Sequence, residues 1–134
     1  MEIRIAQLFD FELLKNYDKH IFKDILMKQI KDKHIMIAEE DSTFLGWLRY
    51  NLFWDSIPFM NMLFFLDGYR GKGYGTALTL EWGKVMKAKG YDAVMTSTQV
   101  NECAQHFYRK LGYTDIGSFM PPEEPLELIL LKHI

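Results

Sequence analysis

The sequence lacks the features that mark secreted and membrane proteins. Cys103 is the single cysteine, so no intrachain disulfide can form and a reducing compartment is favoured. The longest apolar stretch, residues 62–66, is far shorter than the ~20 residues that span a bilayer. The N-terminus has no long apolar run behind a basic start, which argues against a signal peptide. We therefore expect a cytoplasmic protein that has no membrane partner.

A basic excess and a metal-binding pattern are also missing. The 16 Lys and Arg residues face 18 Asp and Glu residues, and the formal net charge is −2. Nucleic-acid-binding domains usually carry a basic patch, so we expect no nucleic-acid partner. The 4 histidines show no ligand spacing, and we predict no metal site.

The composition is that of an ordinary globular domain. The chain has 134 residues, of which 49% are hydrophobic and 25% are charged. This length fits one domain, and no linker, repeat or low-complexity tract divides it. We expect a single domain over residues 1–134.

Hydrophobic periodicity predicts the order β-α-α-β-β-β-α-β-α-β-β. Asp10 and Asp24 are candidate N-caps of the two early helices, and Asn101 is expected to open the last one. Such a set buries its apolar faces in an α/β (α+β) fold, with helices on a mixed, mostly antiparallel central sheet. We expect 6–7 strands and about four helices, over the ranges 2–5, 11–31, 34–38, 44–54, 59–66, 73–89, 93–98, 101–111, 113–119 and 126–131.

A glycine-rich turn, residues 70–76, lies between a hydrophobic strand and an amphipathic helix. Its sequence is Arg-Gly-Lys-Gly-Tyr-Gly-Thr. Glycines let a backbone approach a ligand closely, and the first turn of a helix offers N–H groups and a positive dipole end. The pattern therefore predicts a site for phosphate or pyrophosphate.

Two common phosphate-binding motifs do not fit this turn. A P-loop ends in Gly-Lys-Ser/Thr, whereas Lys72 is followed by Gly73. A dinucleotide fingerprint needs a third glycine where Thr76 stands. A third pattern, Arg/Gln-x-x-Gly-x-Gly/Ala, is satisfied by Arg70, Gly73 and Gly75. In these residues the chain resembles the GNAT family of N-acetyltransferases.

A second segment, residues 101–113, carries the same resemblance. It reads Asn…Ala…Phe-Tyr-x-Lys-Leu-Gly-Tyr and is similar to the second acetyl-CoA segment of the family. When the order of strands and helices is added to the two matching segments, the resemblance covers nearly the whole chain. It implies a GNAT-like acyl-CoA N-acyltransferase fold, acetyl-CoA as co-substrate, and transfer of an acetyl group to a primary amine in a ternary complex.

The resemblance also implies roles for single residues. The backbone near Phe65 and Leu66 would bind the pantetheine arm, and an N–H of Leu66 or Asp67 would polarise the thioester carbonyl. Asn101 matches a position that contacts the arm, and Tyr108 matches the general acid. The pyrophosphate would be bound by Arg70, Gly71, Lys72, Gly73, Tyr74, Gly75 and Thr76.

The sequence departs from the family at the general base. Many members have a glutamate on the strand before the turn, whereas residues 57–66 contain no acidic residue. Possible substitutes, which the sequence does not rank, are Asp67, Asp55, Glu39 and Tyr50. The missing glutamate leaves open an alternative function, a non-catalytic sensor of CoA or acyl-CoA. For Tyr108 the alternative to the acid role is packing of its helix, and for Asn101 the alternative to binding the arm is capping of the same helix.

The acceptor is not identified by the sequence. The family implies an acceptor site formed by residues 11–33 and 118–125. A small-molecule amine and a peptide amine both remain possible acceptors. Exposed strand edges make a homodimer plausible.

Overall fold

The computed structural model describes all 134 residues, and its elements follow the predicted order. A short 3-10 helix, Leu8–Asp10, precedes the first α-helix. The strands and helices are β1 (Glu2–Ile5), α1 (Phe11–Tyr17), α2 (Lys23–Lys31), β2 (Ile35–Glu40), β3 (Thr43–Phe53), β4 (Ile57–Phe65), α3 (Tyr74–Ala88), β5 (Ala93–Gln99), α4 (Ala104–Lys110), β6 (Thr114–Phe119) and β7 (Glu127–His133).

The seven strands form one sheet in the order β1-β2-β3-β4-β5-β7-β6. The pairs β1–β2, β2–β3, β5–β7 and β6–β7 are antiparallel, whereas β4–β5 is parallel. The predicted mixed, mostly antiparallel sheet with four α-helices is therefore confirmed. None of the helices combines the length and the hydropathy that a membrane span needs.

The contacts of the chain divide it into two compact units. The first comprises Met1–Asn51 and Met62–Leu78, and the second comprises Leu52–Asn61 and Thr79–Ile134. The expectation of a single functional domain stays a prediction. Amphipathic helices α1 and α2 help to form the core of the first unit, whose buried members are Ala6, Leu14, Leu26, Ile30, Ile35, Ile37 and Trp47.

A buried ion pair also holds the first unit together. Asp18 follows α1 and is 3% exposed, and Arg49 of β3 is 7% exposed. Arg49 Nε donates to Asp18 Oδ2 at 2.6 Å, and Trp47 Nε1 donates to the same oxygen at 3.2 Å. Because each buried charge has a partner, the connection after α1 is fixed to the sheet.

The second unit includes most of α3. This helix buries Leu78, Trp82 and Met86, which are four residues apart and therefore share one face. On β5, Ser97 Oγ donates to Glu127 at 2.7 Å and Gln99 Nε2 donates to Glu124 at 3.0 Å. These bonds tie the start of β7 and its preceding loop to β5.

Two predicted helix starts are wrong. Phe22, two residues before Asp24, is the N-cap of α2. Asp24 therefore lies in the first turn, where its negative charge interacts favourably with the helix dipole and stabilises the helix. Helix α4 begins at Ala104 with Cys103 as N-cap, because residues 100–103 form a turn. Asn101 therefore does not cap this helix. Asp10 is the N-cap residue of α1 but makes no side-chain capping bond.

Candidate active site

The end of β4, before the glycine turn, lies unusually close to β3. A Cβ added to Gly46 would stand 2.3 Å from the carbonyl oxygen of Phe64 and 2.8 Å from the ring of Phe65. Only a residue without a side chain fits there. Gly46 thus permits this path of the strand end, and Phe65 is 6% exposed.

Two backbone groups at this strand end already have partners within the protein. The N–H of Leu66 donates to the carbonyl of Leu45 at 2.9 Å. The carbonyl of Phe65 accepts a hydrogen bond from Arg70 Nε at 2.8 Å. The N–H of Asp67 makes no hydrogen bond within the protein. Of the two donors expected for the thioester carbonyl, Asp67 is therefore the one that can bind a ligand without losing a bond.

Arg70 closes the glycine turn onto the strand. Besides its bond to Phe65, its Nη1 lies 3.2 Å from Asp67 Oδ1, and its guanidinium lies 4.6 Å from the centre of the Phe64 ring. The side chain remains 54% exposed. Arg70 therefore fixes the turn and still presents positive charge to solvent.

Three glycines in the turn or just before it have a left-handed backbone. The φ angles are 89° at Gly68, 72° at Gly71 and 84° at Gly73. A Cβ at any of the three would meet no atom within 4 Å. These glycines are therefore required by the backbone conformation and not by crowding, and the space above the turn is open.

Helix α3 begins directly after the turn, and the ring of its first residue helps to hold the turn. Tyr74 lies 6.0 Å from Phe65 and 6.4 Å from Tyr69, measured between ring centres. Its hydroxyl donates to Glu40 Oε2 at 3.0 Å, and this bond raises the pKa of Tyr74. The Tyr74 side chain is thus engaged in structure, and its backbone remains for a ligand.

Tyr108 is buried, which is compatible with both the catalytic and the packing interpretations. It is 7% exposed on α4, and its ring lies 5.6 Å from Tyr113 in an edge-to-face arrangement. Burial raises the pKa of Tyr108 to about 12. Tyr108 is therefore protonated at neutral pH, as a proton donor must be.

The other predicted residues lie on exposed turns. Asn101 and Cys103 are exposed in the turn between β5 and α4. Gly71 and Lys72 are exposed in the glycine turn, which ends where Gly75 and Thr76 enter α3. Residues 65–76 thus run from the end of β4 through the glycine turn to the first residues of α3, all within the first unit.

Three of the four possible general bases are paired or buried, and only Asp55 is exposed without a partner. Glu39 forms an ion pair with Arg4 at 2.7 Å, and Asp67 forms one with Arg70. Tyr50 is 2% exposed and stacks on the ring of His34 at 4.6 Å. Asp55 is exposed in the β3–β4 turn with a φ of 60°. No group of three or more His, Cys, Asp or Glu side chains could hold a metal.

Sequence reasoning missed Gly46. A glycine inside a strand often marks a close backbone approach, so Gly46 carried a usable signal.

Comparisons with known proteins agree with this geometry. A family profile described as the acetyltransferase (GNAT) family matches residues 3–113. N-alpha-acetyltransferase 30 of Schizosaccharomyces pombe is 27% identical over 114 residues, which cover 81% of this chain and 75% of that protein.

Solved structures share the fold at low identity. Ard1 from Thermoplasma volcanium has a TM-score of 0.85 at 12% identity, covering 99% of this chain and 97% of its own. The PaiA N-acetyltransferase from Thermoplasma acidophilum, solved with coenzyme A, has a TM-score of 0.71 at 19% identity, covering 99% and 98%. The chain therefore belongs to the acetyltransferase (GNAT) family and is an acetyl-CoA-dependent N-acetyltransferase.

Proposed function

We propose that this enzyme transfers the acetyl group of acetyl-CoA to the α-amino group at the N-terminus of a peptide or protein. The choice of acceptor is supported by the similarity to N-alpha-acetyltransferase 30, which is 27% identical. The observation that carries the cofactor assignment is the glycine turn, with its open left-handed glycines directly before a helix.

The turn supplies the chemistry that a diphosphate needs. Backbone N–H groups of residues 71–76 and the positive end of the α3 dipole favour a bound anion. Arg70 and Lys72 add two positive charges beside it, and both are exposed. Residues 65–67 and Asn101 would bind the pantetheine arm, and the Asp67 N–H would stabilise the oxyanion.

The reaction needs no covalent enzyme intermediate. The neutral amine attacks the thioester carbonyl carbon, a C–N bond forms, and the C–S bond breaks with its electron pair on sulfur. Tyr108 donates a hydrogen bond to the departing thiolate, the new amide nitrogen releases one proton to solvent, and the thiolate takes up one proton from solvent. The products are therefore the N-acetylated amine and CoA. Proximity of the two bound substrates supplies much of the acceleration.

The raised pKa of Tyr108 limits how far it can transfer its proton to the leaving thiolate. Its pKa of about 12 exceeds that of a thiol, which is near 8.5, by about 3.5 units or roughly 5 kcal/mol. Proton transfer to a free thiolate would therefore be uphill. Partial proton transfer, or a hydrogen bond to the developing thiolate, is consistent with this gap.

The assignment of Tyr108 is tested by Tyr108→Phe. We expect turnover to fall by roughly 100-fold or more, while the KM for acetyl-CoA changes less than about twofold because the ring still packs. Thiol release is measured by steady-state kinetics. Full activity of the variant across pH would refute the role of Tyr108.

The acceptor is tested by comparing three amines. A peptide with a free α-amine should be acetylated faster than an Nα-blocked peptide with one lysine and faster than a polyamine. Product is identified by mass spectrometry. Preference for the lysine or the polyamine would overturn the α-amine assignment, and acetyl-CoA binding without any product would favour the sensor.

Assembly and location belong to the same proposal. All six residues of the edge strand β6 are exposed, which supports a homodimer paired along that edge. Sedimentation would distinguish a monomer from a dimer. A cytoplasmic location is proposed from the low cysteine content.

A further inference from the structure

A cavity of about 290 Å³ lies within the second unit. It is lined by residues of α3 between positions 79 and 87, and by residues of β5 and β7. Its volume corresponds to roughly ten water molecules, which is enough for a small organic molecule. The cavity shares no residue with the site proposed for acetyl-CoA, so it is available for a different ligand.

Gly83 lies in the wall of this cavity, in the interior of α3. Its backbone is not among the glycines with a positive φ, and an added Cβ would meet no atom within 4 Å. Neither conformation nor crowding therefore requires a glycine there, although glycine destabilises a helix relative to alanine. The missing side chain leaves this part of the helix surface open to a ligand.

The cavity has an apolar surface. Val94 of β5 is 0% exposed and Tyr113 is 3% exposed, and both line the cavity. Leu80 of α3 also lines it, although its side chain is 43% exposed. A ligand that covers Leu80 would remove this apolar surface from water, which favours a ligand with an apolar body.

Three lysines give the same cavity a positive charge. Lys84 and Lys87 lie on α3 and are exposed, and Lys132 belongs to β7, with its Nζ 5.9 Å from the centre of the Tyr113 ring. None of the three forms a salt bridge. No acidic side chain lines the cavity, and a terminal carboxylate on Ile134, which does line it, would leave the net charge positive. Three unpaired ammonium groups beside an apolar surface favour an anion.

We propose that this cavity binds a small alkyl carboxylate, independently of acetyl-CoA. The alkyl chain lies over Gly83 and against Leu80 and Tyr113, and the carboxylate accepts hydrogen bonds from the lysines. An alkyl carboxylate matches both properties of the cavity, because its chain is apolar and its single charge is opposite to that of the ammonium groups.

Octanoate is the probe, and octanamide is its control, because it has the same chain without the charge. Octanoate should bind with a Kd about 10-fold lower than that of octanamide, and its binding should weaken at high salt. Calorimetry measures both affinities, and saturating CoA should leave the octanoate Kd unchanged. Absence of saturable binding, or equal affinity for the two probes, would overturn the proposal. Displacement of octanoate by CoA would also overturn it and would leave the proposed function intact.

Two variants then locate the bound octanoate. Gly83→Leu should abolish binding, because the new side chain occupies the cavity and leucine favours a helix. Lys87→Gln should raise the Kd about threefold. Lys89→Gln is the matched control, since Lys89 is exposed directly after α3 and does not line the cavity, and it should keep the wild-type Kd.

Thermal unfolding confirms that each variant is folded, and Lys87→Gln carries the test if Gly83→Leu is not. Wild-type affinity in a folded Gly83→Leu, or an equal loss in Lys87→Gln and Lys89→Gln, would show that octanoate binds elsewhere and that the proposal is wrong.

Discussion

Single residues set the shape of the strand end that precedes the glycine turn. Gly46 is the clearest case, because an added Cβ would meet the backbone oxygen of Phe64 at 2.3 Å, and a backbone atom cannot rotate away. Arg70 then links the turn to Phe65 through its carbonyl. The position of the turn thus depends on one absent side chain and one hydrogen bond.

Gly46→Ala should destabilise the protein by about 1–3 kcal/mol, because the strands must separate to admit the methyl group. Denaturant unfolding measures the change. Gly83→Ala is the control, since a Cβ there meets no atom within 4 Å in the middle of α3. It should stabilise by about 0.5–1 kcal/mol. Equal stability of Gly46→Ala and the wild type would contradict the close approach.

Tyr108 gives stability a defined dependence on alkaline pH. Burial raises its pKa from 10.0 to about 12, so its contribution is complete below pH 10 and is lost as the pH rises towards 12. At pH 11 the loss from this group should be about 1.4 kcal/mol relative to pH 8. Unfolding of wild type and Tyr108→Phe at both pH values measures it. A Phe variant with the same alkaline loss would show that Tyr108 does not titrate in this way.

At the scale of elements, the glycine turn and α3 form the proposed phosphate site. The left-handed glycines bring the chain from β4 to the start of a 15-residue helix. The strand, turn and helix were all predictable from sequence, because periodicity and glycine spacing are local signals. Helix starts were less predictable. The N-cap positions of α2 and α4 are occupied by Phe22 and Cys103, which are poor capping residues.

Gly73→Ala should raise the KM for acetyl-CoA by about 10-fold or more, because a side chain at a φ of 84° strains the turn and shifts its N–H groups. Gly90→Ala is a matched control at the other end of α3, where φ is 98° and a Cβ is equally unhindered. Both variants should lose similar stability, about 1–2 kcal/mol. Only Gly73→Ala should change KM, and an equal change in Gly90→Ala would exclude a local role for the turn.

At the scale of the whole molecule, the sheet was predictable, whereas its long-range polar contacts were not. The order of elements limits the compact folds to a helix-covered mixed sheet, which the structure confirms. The Asp18–Arg49 pair and the Thr96–Met60 bond join residues 31 and 36 positions apart. No local pattern in the sequence specifies such partners, and they became visible only in the folded chain.

The most direct test of the account is a crystal structure of the protein with coenzyme A bound. The diphosphate oxygens should lie about 3 Å from backbone nitrogens of residues 71–76, with Arg70 or Lys72 beside them. The Asp67 N–H should face the sulfur end of the arm. A diphosphate bound elsewhere, with the glycine turn empty, would contradict the central claim.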